Sequence, residues 1–406
     1  MATHQGNFDE ATPTQLVFGN THLLNKICCY LHTKDSIRLE RVNHTIRSVA
    51  LVTPLHAPND TASIRLDSDT CRLSIGNAFM ELPFNMQYEN SSCVVDFSYA
   101  VEQAAVRFGN SLRTLSISSD HLPIELTKEQ IRMLSTCFPN LEHLSLYGVL
   151  WSTGMQCQAG NQDHRNVFRS LNALSIVSIM GTYPATSSTY DITSIVQDVK
   201  HLNVAISPFH VSCFALDIAR AASATCSSLS ISMCFTAFGG MSDLFENIGK
   251  FENITELDFS MKCMHWDANL LVAALRELPK LPRLAKFRFR PQCFERMYGS
   301  LVSDAMSSTL SGCKALTHLD LRLRQTSLIG DEIARFADNV LNSLTENIRS
   351  LTLEDLLVSD EVLLATVERL ANLEEFDISI APNVSPVTAT AIVELLTPQA
   401  TSLIIM

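Results

Sequence analysis

The residues best equipped for bond-making chemistry stand together in Cys263-Met-His265-Trp-Asp267, a thiol, an imidazole and a carboxylate within five positions. A thiol beside a base can become a nucleophile. On a strand, however, such neighbours are scattered over two faces or along one edge, so the cluster reads as structural. The other chemical signatures fail on spacing. Twelve cysteines, at 28, 29, 71, 93, 137, 157, 213, 226, 234, 263, 293 and 313, include no Cys-x-x-Cys pair. Twelve histidines include no His-x-x-x-His pair, so no metal-ligand spacing emerges. Gly181 and Gly239-Gly240 precede no Lys-Ser/Thr, as a phosphate loop would require. These patterns predict no active site, no metal and no cofactor.

A second chemistry is recognition. Lys286, Arg288, Arg290, Arg322 and Arg324, with His318 beside them, concentrate cations in a chain of net charge -12. Guanidinium forks suit carboxylates and phosphates, so this set is the candidate target-binding patch for an acidic or phosphorylated segment. The alternative is that Asp258, Asp320, Glu354 and Glu374 neutralise it through cross-strand pairs. The 42 acidic against 30 basic side chains exclude a general nucleic-acid or anionic-membrane binder, which needs a basic footprint.

The elements that must position these residues follow from one recurring pattern. It begins Leu112-x-x-Leu115-x-Ile117 and Leu141-x-x-Leu144-x-Leu146, and reaches Leu316-x-x-Leu319-x-Leu321 by way of Leu284-x-x-Phe287-x-Phe289. Its central apolar residues fall at 115, 144, 174, 202, 229, 257, 287, 319, 351, 376 and 403, spaced 25 to 32 residues apart. That period lies in or near the leucine-rich-repeat range, each unit a short strand followed by a helical return. The expected fold is an α/β leucine-rich-repeat solenoid, a curved horseshoe with parallel strands on the concave face and helices on the convex face.

Between the anchors, Thr127-Lys-Glu-Gln130 reads as a capping box, Asp267 leads a helical face of Leu270, Leu271, Ala274, Leu275 and Leu278, and Ser385-Pro386 opens another helix. The residues between the last two anchors run Ser116, Ser145, Ser175, Asn203, Ser230, Asp258, Arg288, Asp320, Thr352 and Asp377, and should face the concave side. Three residues beyond the strand motif stand Asp120, Val149, Ile179, Ser207, Cys234, Lys262 and Arg324, so a continuous Asn ladder is not expected. Ile64-x-Leu66, Leu73-x-Ile75 and Val95-x-Phe97 read as degenerate strands of open register. The chain closes on Leu403-Ile404-Ile405, which reads as a bare strand that lacks a polar cap, pairs with a partner, or belongs to a truncated chain.

Residues 16–50 do not fit the repeat. Leu23, Leu24, Ile27, Tyr30 and Leu31 suggest one short helix, Ile37 and Leu39 a second, and Val42, Ile46 and Val49 a third. The string Leu24-Asn-Lys-Ile27-Cys-Cys-Tyr30-Leu31-His-Thr-Lys-Asp35-Ser-Ile37-Arg-Leu39-Glu-Arg-Val42-Asn43-His-Thr-Ile46-Arg47 resembles the F-box. It departs from that family at Phe18-Gly19, where Leu-Pro is usual, and at Ile46, where an aromatic is common. The plain alternative is a helical cap on the open end of the solenoid. Cys28-Cys29 falls within this segment, one cysteine expected in the core and one on the surface.

The layout read from sequence is therefore a flexible stretch over 1–15, the F-box-like motif over 16–50, a connecting region over 51–110 and about eleven repeats over 111–406. The resemblance implies a non-catalytic substrate receptor of an SCF-type cullin-RING ubiquitin ligase. Leu24, Ile27, Tyr30, Leu31, Ile37, Leu39, Val42 and Ile46 would meet the adaptor, which links to the cullin, and the repeats would hold the protein substrate. The alternative is a repeat scaffold or inhibitor without ligase association. A third reading, a regulator of a nucleotidase, would rest on Arg113 alone.

Met1–Gln15 has no apolar signal-peptide core and no uncharged apolar run approaches the roughly 18 residues of a membrane span, so a cytoplasmic or nuclear protein with reduced, mostly buried cysteines is expected.

Overall fold

The computed structural model describes residues 20–30, 61–66, 70–75, 78–82, 86–89, 92–95, 98–108, 111–119, 124–125, 128–150, 168, 170–178, 198–206, 224–233, 248–261, 268–291, 299–323, 330–379 and 384–405. Contacts divide the chain into two compact units, Met1–Ser145 with Phe168–Ser170, and Leu146–Val167 with Leu171–Met406. The Cys263–Asp267 cluster, Gly181, Gly239-Gly240, Thr127 and the segment from Leu31 to Val49 lie outside the described residues.

In the first unit, helix α1 (Thr21–Tyr30) precedes strands β1 (Thr61–Leu66), β2 (Cys71–Ile75), β3 (Ala78–Leu82), β4 (Met86–Glu89) and β5 (Ser92–Val95), and helix α2 (Ser98–Phe108) follows. Strand β6 (Thr114–Ser119) is the first repeat strand, trailed by β7 (Ile124–Glu125) and helix α3 (Lys128–Cys137). β1 runs parallel to β6 with Ile64 opposite Ile117, so the first degenerate motif is in register with the array. Leu73-x-Ile75 is not a repeat strand: β2 runs antiparallel to β1, because the few residues between them cannot make a parallel crossover. Val95 belongs to a separate two-stranded sheet of β4 and β5. Strand β8 (His143–Leu150) carries the chain from one unit to the next.

The second unit is a run of parallel strands in sequence order: β9 (Ala173–Ser178), β10 (His201–Ile206), β11 (Ser228–Met233), β12 (Glu256–Met261), β13 (Lys286–Pro291), β14 (His318–Arg322), β15 (Ser350–Glu354), β16 (Glu375–Ser379) and β17 (Ser402–Ile405). From β12 on, helices return the chain: α4 (Ala268–Glu277), α5 (Gly299–Gly312), α6 (Gly330–Ser343), α7 (Asp360–Arg369) and α8 (Pro386–Leu396). Strand, helical return and in-register parallel strand, repeated at the anchor spacing, make this a leucine-rich-repeat solenoid of the α/β class.

The register follows the apolar pattern residue by residue. Leu174, Leu202, Leu229, Leu257, Phe287, Leu319, Leu351, Phe376 and Leu403 oppose one another in successive strands. All but the last are buried, each contributing roughly 1.5–3 kcal/mol relative to exposure. Period two forces the alternate residues onto the other, open face of the sheet. Phe259 meets Phe287 edge-on at 5.8 Å, and Phe287 stacks on Phe289 at 6.4 Å, making an aromatic layer.

Two further ladders fix the stack. At nearly every junction, two successive backbone N–H groups donate to one carbonyl of the preceding repeat, as Ala285 and Lys286 do to Thr255 and Thr317 and His318 do to Ala285. Beside them, Asn253, Asn347 and Asn372 donate their amides to Ala224, Lys314 and Glu346 carbonyls at 2.5, 3.0 and 3.0 Å. An interrupted Asn ladder therefore exists, before the strand and not after it. Its signal was legible as Asn directly ahead of Ile254, Ile348 and Leu373.

The helices are tied in turn. Thr309 donates to the Leu275 carbonyl at 3.0 Å, linking α5 to α4, and Arg369 donates to the Leu341 and Asn342 carbonyls at the end of α6, where the helix dipole favours a cation. Ser385 caps α8 by accepting from the Thr388 N–H at 3.2 Å, with Pro386 in the first turn, as the sequence indicates.

Candidate functional site

The open face changes character along the second unit. On β9 to β11 it is mostly small and uncharged, His201 apart, with Asn203 donating to Ser175 Oγ at 3.1 Å. On β12 to β14 it becomes charged, and the strands bring Lys286, Arg288, Arg290, His318 and Arg322 together. Arg324 lies outside the described residues.

Register decides who neutralises whom. Row by row, Lys286 stands between Glu256 and His318, while Arg288 stands between Asp258 and Asp320. Lys286 Nζ meets Glu256 at 2.9 Å, directly across. Arg290 reaches back diagonally to Asp258 at 2.5 Å. Arg322 bonds Asp320 at 2.7 Å on its own strand and Glu354 of β15 at 3.0 Å. Asp258 and Glu354 thus pair across strands as the sequence suggested they could, whereas Asp320 pairs within its own strand and Glu374 pairs with Arg349 at 3.0 Å instead. Among the described residues, Arg288 makes no ion pair or hydrogen bond.

The electrostatics follow from these contacts. The Lys286 ammonium holds the Glu256 carboxyl below its ordinary range, with the hydrogen bond the largest cause. Burial pushes the Asp258 carboxyl up despite the Arg290 contact, and its Oδ1 is buried without a partner. Desolvation outweighs the single salt bridge there because only Oδ2 is engaged. Burial, and then Lys286, lowers His318, whose Nδ1 lies 2.8 Å from Thr317 Oγ1. The hydrogen bond to Asp320 raises Arg322 further.

Arg113, the residue on which a nucleotidase regulator would rest, is ion-paired with Glu142. Cys71, Cys226 and Cys313 are buried free thiols, and burial pushes them up to about 11, 12 and 12. These are small apolar fillers and not reagents. Among the described residues no helix is long and apolar enough to cross a membrane.

No protein-family model matches the chain, and no curated protein does either. Among solved structures, the crystal structure of a Bacteroides fragilis protein matches at 12% identity and a TM-score of 0.37, covering 80% of this chain and 93% of that one. The crystal structure of the Rad7 and Elc1 complex in yeast matches at 13% identity and a TM-score of 0.32, covering 96% of this chain and 93% of that one. The fold assignment rests on the register of this chain's own strands.

At the N-terminal motif, the described portion is α1. Asn20 caps it, its Oδ1 accepting from the His22 and Leu23 N–H groups at 3.1 Å each. Of the expected adaptor-facing residues, Leu24 is buried and Ile27 exposed; Leu23, one helical turn before Ile27, is exposed too. Tyr30 closes the helix, while Leu31, Ile37, Leu39, Val42 and Ile46 lie outside the described residues.

Proposed function

We propose that this protein is the substrate-recognition subunit of an SCF-type cullin-RING ubiquitin ligase: its N-terminal F-box-like segment docks to the adaptor, and its repeats hold the target. It makes and breaks no bond itself. Its contribution is to raise the effective concentration of a target lysine beside the ligase. The observation that carries the reading is α1, a capped helix outside the repeat pattern that buries Leu24 and turns Leu23 and Ile27, each 38% exposed, to the surface as an apolar pair four residues apart. Such a pair on an F-box-like helix is the material of a helix-to-partner contact. The compartment that follows is cytoplasmic or nuclear, where these ligases work.

The test is a pull-down of adaptor and cullin from the host with the intact chain and with a Leu23→Asp, Ile27→Asp variant, both shown to be folded. Capture by the intact chain, cut at least about tenfold in the variant, supports the reading; a buried apolar pair lost from an interface costs this much or more. No capture by the intact, folded chain refutes it and leaves a repeat scaffold or inhibitor without ligase association.

A further inference from the structure

Among the described residues the charged part of the open face balances in number of charges but not in ion pairs, and what is left unpaired defines a partner. Four cations, Lys286, Arg288, Arg290 and Arg322, stand among four carboxylates, Glu256, Asp258, Asp320 and Glu354. Three of the cations are held by ion pairs. Arg288, in the middle strand, is half-buried and has no such bond among the described residues. On β16 the imbalance is reversed. Among the described residues, Glu375 is exposed with no ion pair, and Asp377 accepts from Ser379 Oγ at 2.6 Å with no cation bonded to it. The nearby Arg349 is engaged by Glu374.

We propose that the open face from β13 to β16 docks an extended protein segment that places a carboxylate side chain on Arg288 and, about four residues away, a basic side chain on Glu375 and Asp377. This rests on the target-holding role given to the repeats above. The spacing comes from the sheet. Three strand steps of about 4.8 Å span roughly 14 Å, and an extended chain covers about 3.3 Å per residue.

The anion is a carboxylate and not a phosphate because of the charge count. With Arg288 included the cluster is neutral, four cations against four carboxylates, so what Arg288 offers is guanidinium donors without a bonded partner among the described residues and not a surplus of positive charge. Asp258 and Asp320 oppose Arg288 in register on either side. A carboxylate brings one negative charge to a planar fork that fits it; a phosphorylated side chain brings about -1.5 to -2 and leaves the excess facing two aspartates. The partly buried position of Arg288 strengthens whichever anion it holds, since less water competes.

The experiment is selection of a displayed library of short, unphosphorylated random peptides on the full chain, followed by fluorescence polarisation of the selected peptides. Expected are Asp or Glu at one position and Lys or Arg about four residues away. Arg288→Ala should weaken the selected peptides roughly ten- to hundredfold, and Arg288→Lys less. Glu375→Lys with Asp377→Lys should abolish the basic preference while sparing the acidic one. Each variant's thermal melt must match the parent, which Arg288 allows because it supports no ion pair among the described residues.

The inference is overturned if no peptide is enriched, if enrichment shows no acidic position, if the acidic preference survives Arg288→Ala, or if phosphoserine in place of the acid binds more tightly. Adaptor capture is untouched by these variants, so the two failures are separable. Peptide selection without adaptor capture leaves a scaffold with this face. Adaptor capture without selection leaves the ligase reading and removes this one.

Discussion

Replacing Arg322 with alanine should separate the cation that holds the face together from the cation that is free to bind. Arg322 bridges Asp320 at 2.7 Å and Glu354 at 3.0 Å, and the Glu354 side chain retains only 9% exposure. Two unit charges 3 Å apart at an effective dielectric of 20 interact by roughly 5 kcal/mol before any desolvation is counted. Breaking a fully buried pair by removing one partner costs about 3–5 kcal/mol. Arg322 itself is one-third exposed, so water screens the interaction and admits solvent to the stranded carboxylates. The expected loss is therefore about 2 kcal/mol.

Urea denaturation at neutral pH measures it. The double variant Arg322→Met, Glu354→Gln should recover part of the loss, because Glu354, the more buried of the two carboxylates, is then no longer a stranded charge, and only Asp320 still lacks its partner. Arg288→Ala, which removes no ion pair among the described residues, should stay within about 0.5 kcal/mol of the parent. A loss below about 0.5 kcal/mol for Arg322→Ala, or a double variant weaker than the single, would refute the claim that this network is structural.

Three other outcomes are expected. Phe287→Ala removes a fully buried ring from the Phe259–Phe287–Phe289 layer and should cost about 3–5 kcal/mol, with hydrogen exchange rising first in β12, β13 and β14 because repeats depend on their neighbours. Glu256→Gln should lower the melting temperature at pH 7. Its folded-state pKa is lowered, so its stabilisation exists above the unfolded value of 4.5 and is lost as pH falls through the folded one. Parent and variant melts should thus converge on acidification, and a constant difference down to strongly acidic pH would contradict the ion pair with Lys286. Iodoacetamide at pH 8, read by peptide mass spectrometry, should leave Cys226 and Cys313 unlabelled in the native chain and labelled in urea, since both are buried and pushed up to about 12. Native labelling at either would place it outside the core.

The anchors Leu174 to Phe376 show why so much of the fold was legible. A parallel solenoid strand buries alternate side chains, and stacking demands the same pattern at a near-constant interval, so the period alone sets both element and register. The Ser385 cap was equally legible, since a cap is a matter of a few adjacent residues. The antiparallel turn of Leu73-x-Ile75 was not, because an apolar alternation carries no direction.

The candidate site divides the same way. That Lys286, Arg288, Arg290, His318 and Arg322 share one face is a property of the sequence, fixed by their place between the anchors. Which of them is left with charge to offer is not. That depended on Arg290 reaching diagonally to Asp258, on Arg322 dividing itself between Asp320 and Glu354, and on Arg349 taking Glu374. Long side chains choose among several carboxylates within a few ångströms, and the choice is made by rotamer and burial. The sequence determined the scaffold and the inventory of charges; only the tertiary structure decided that, among the described residues, Arg288 and Glu375 are left without an ion pair.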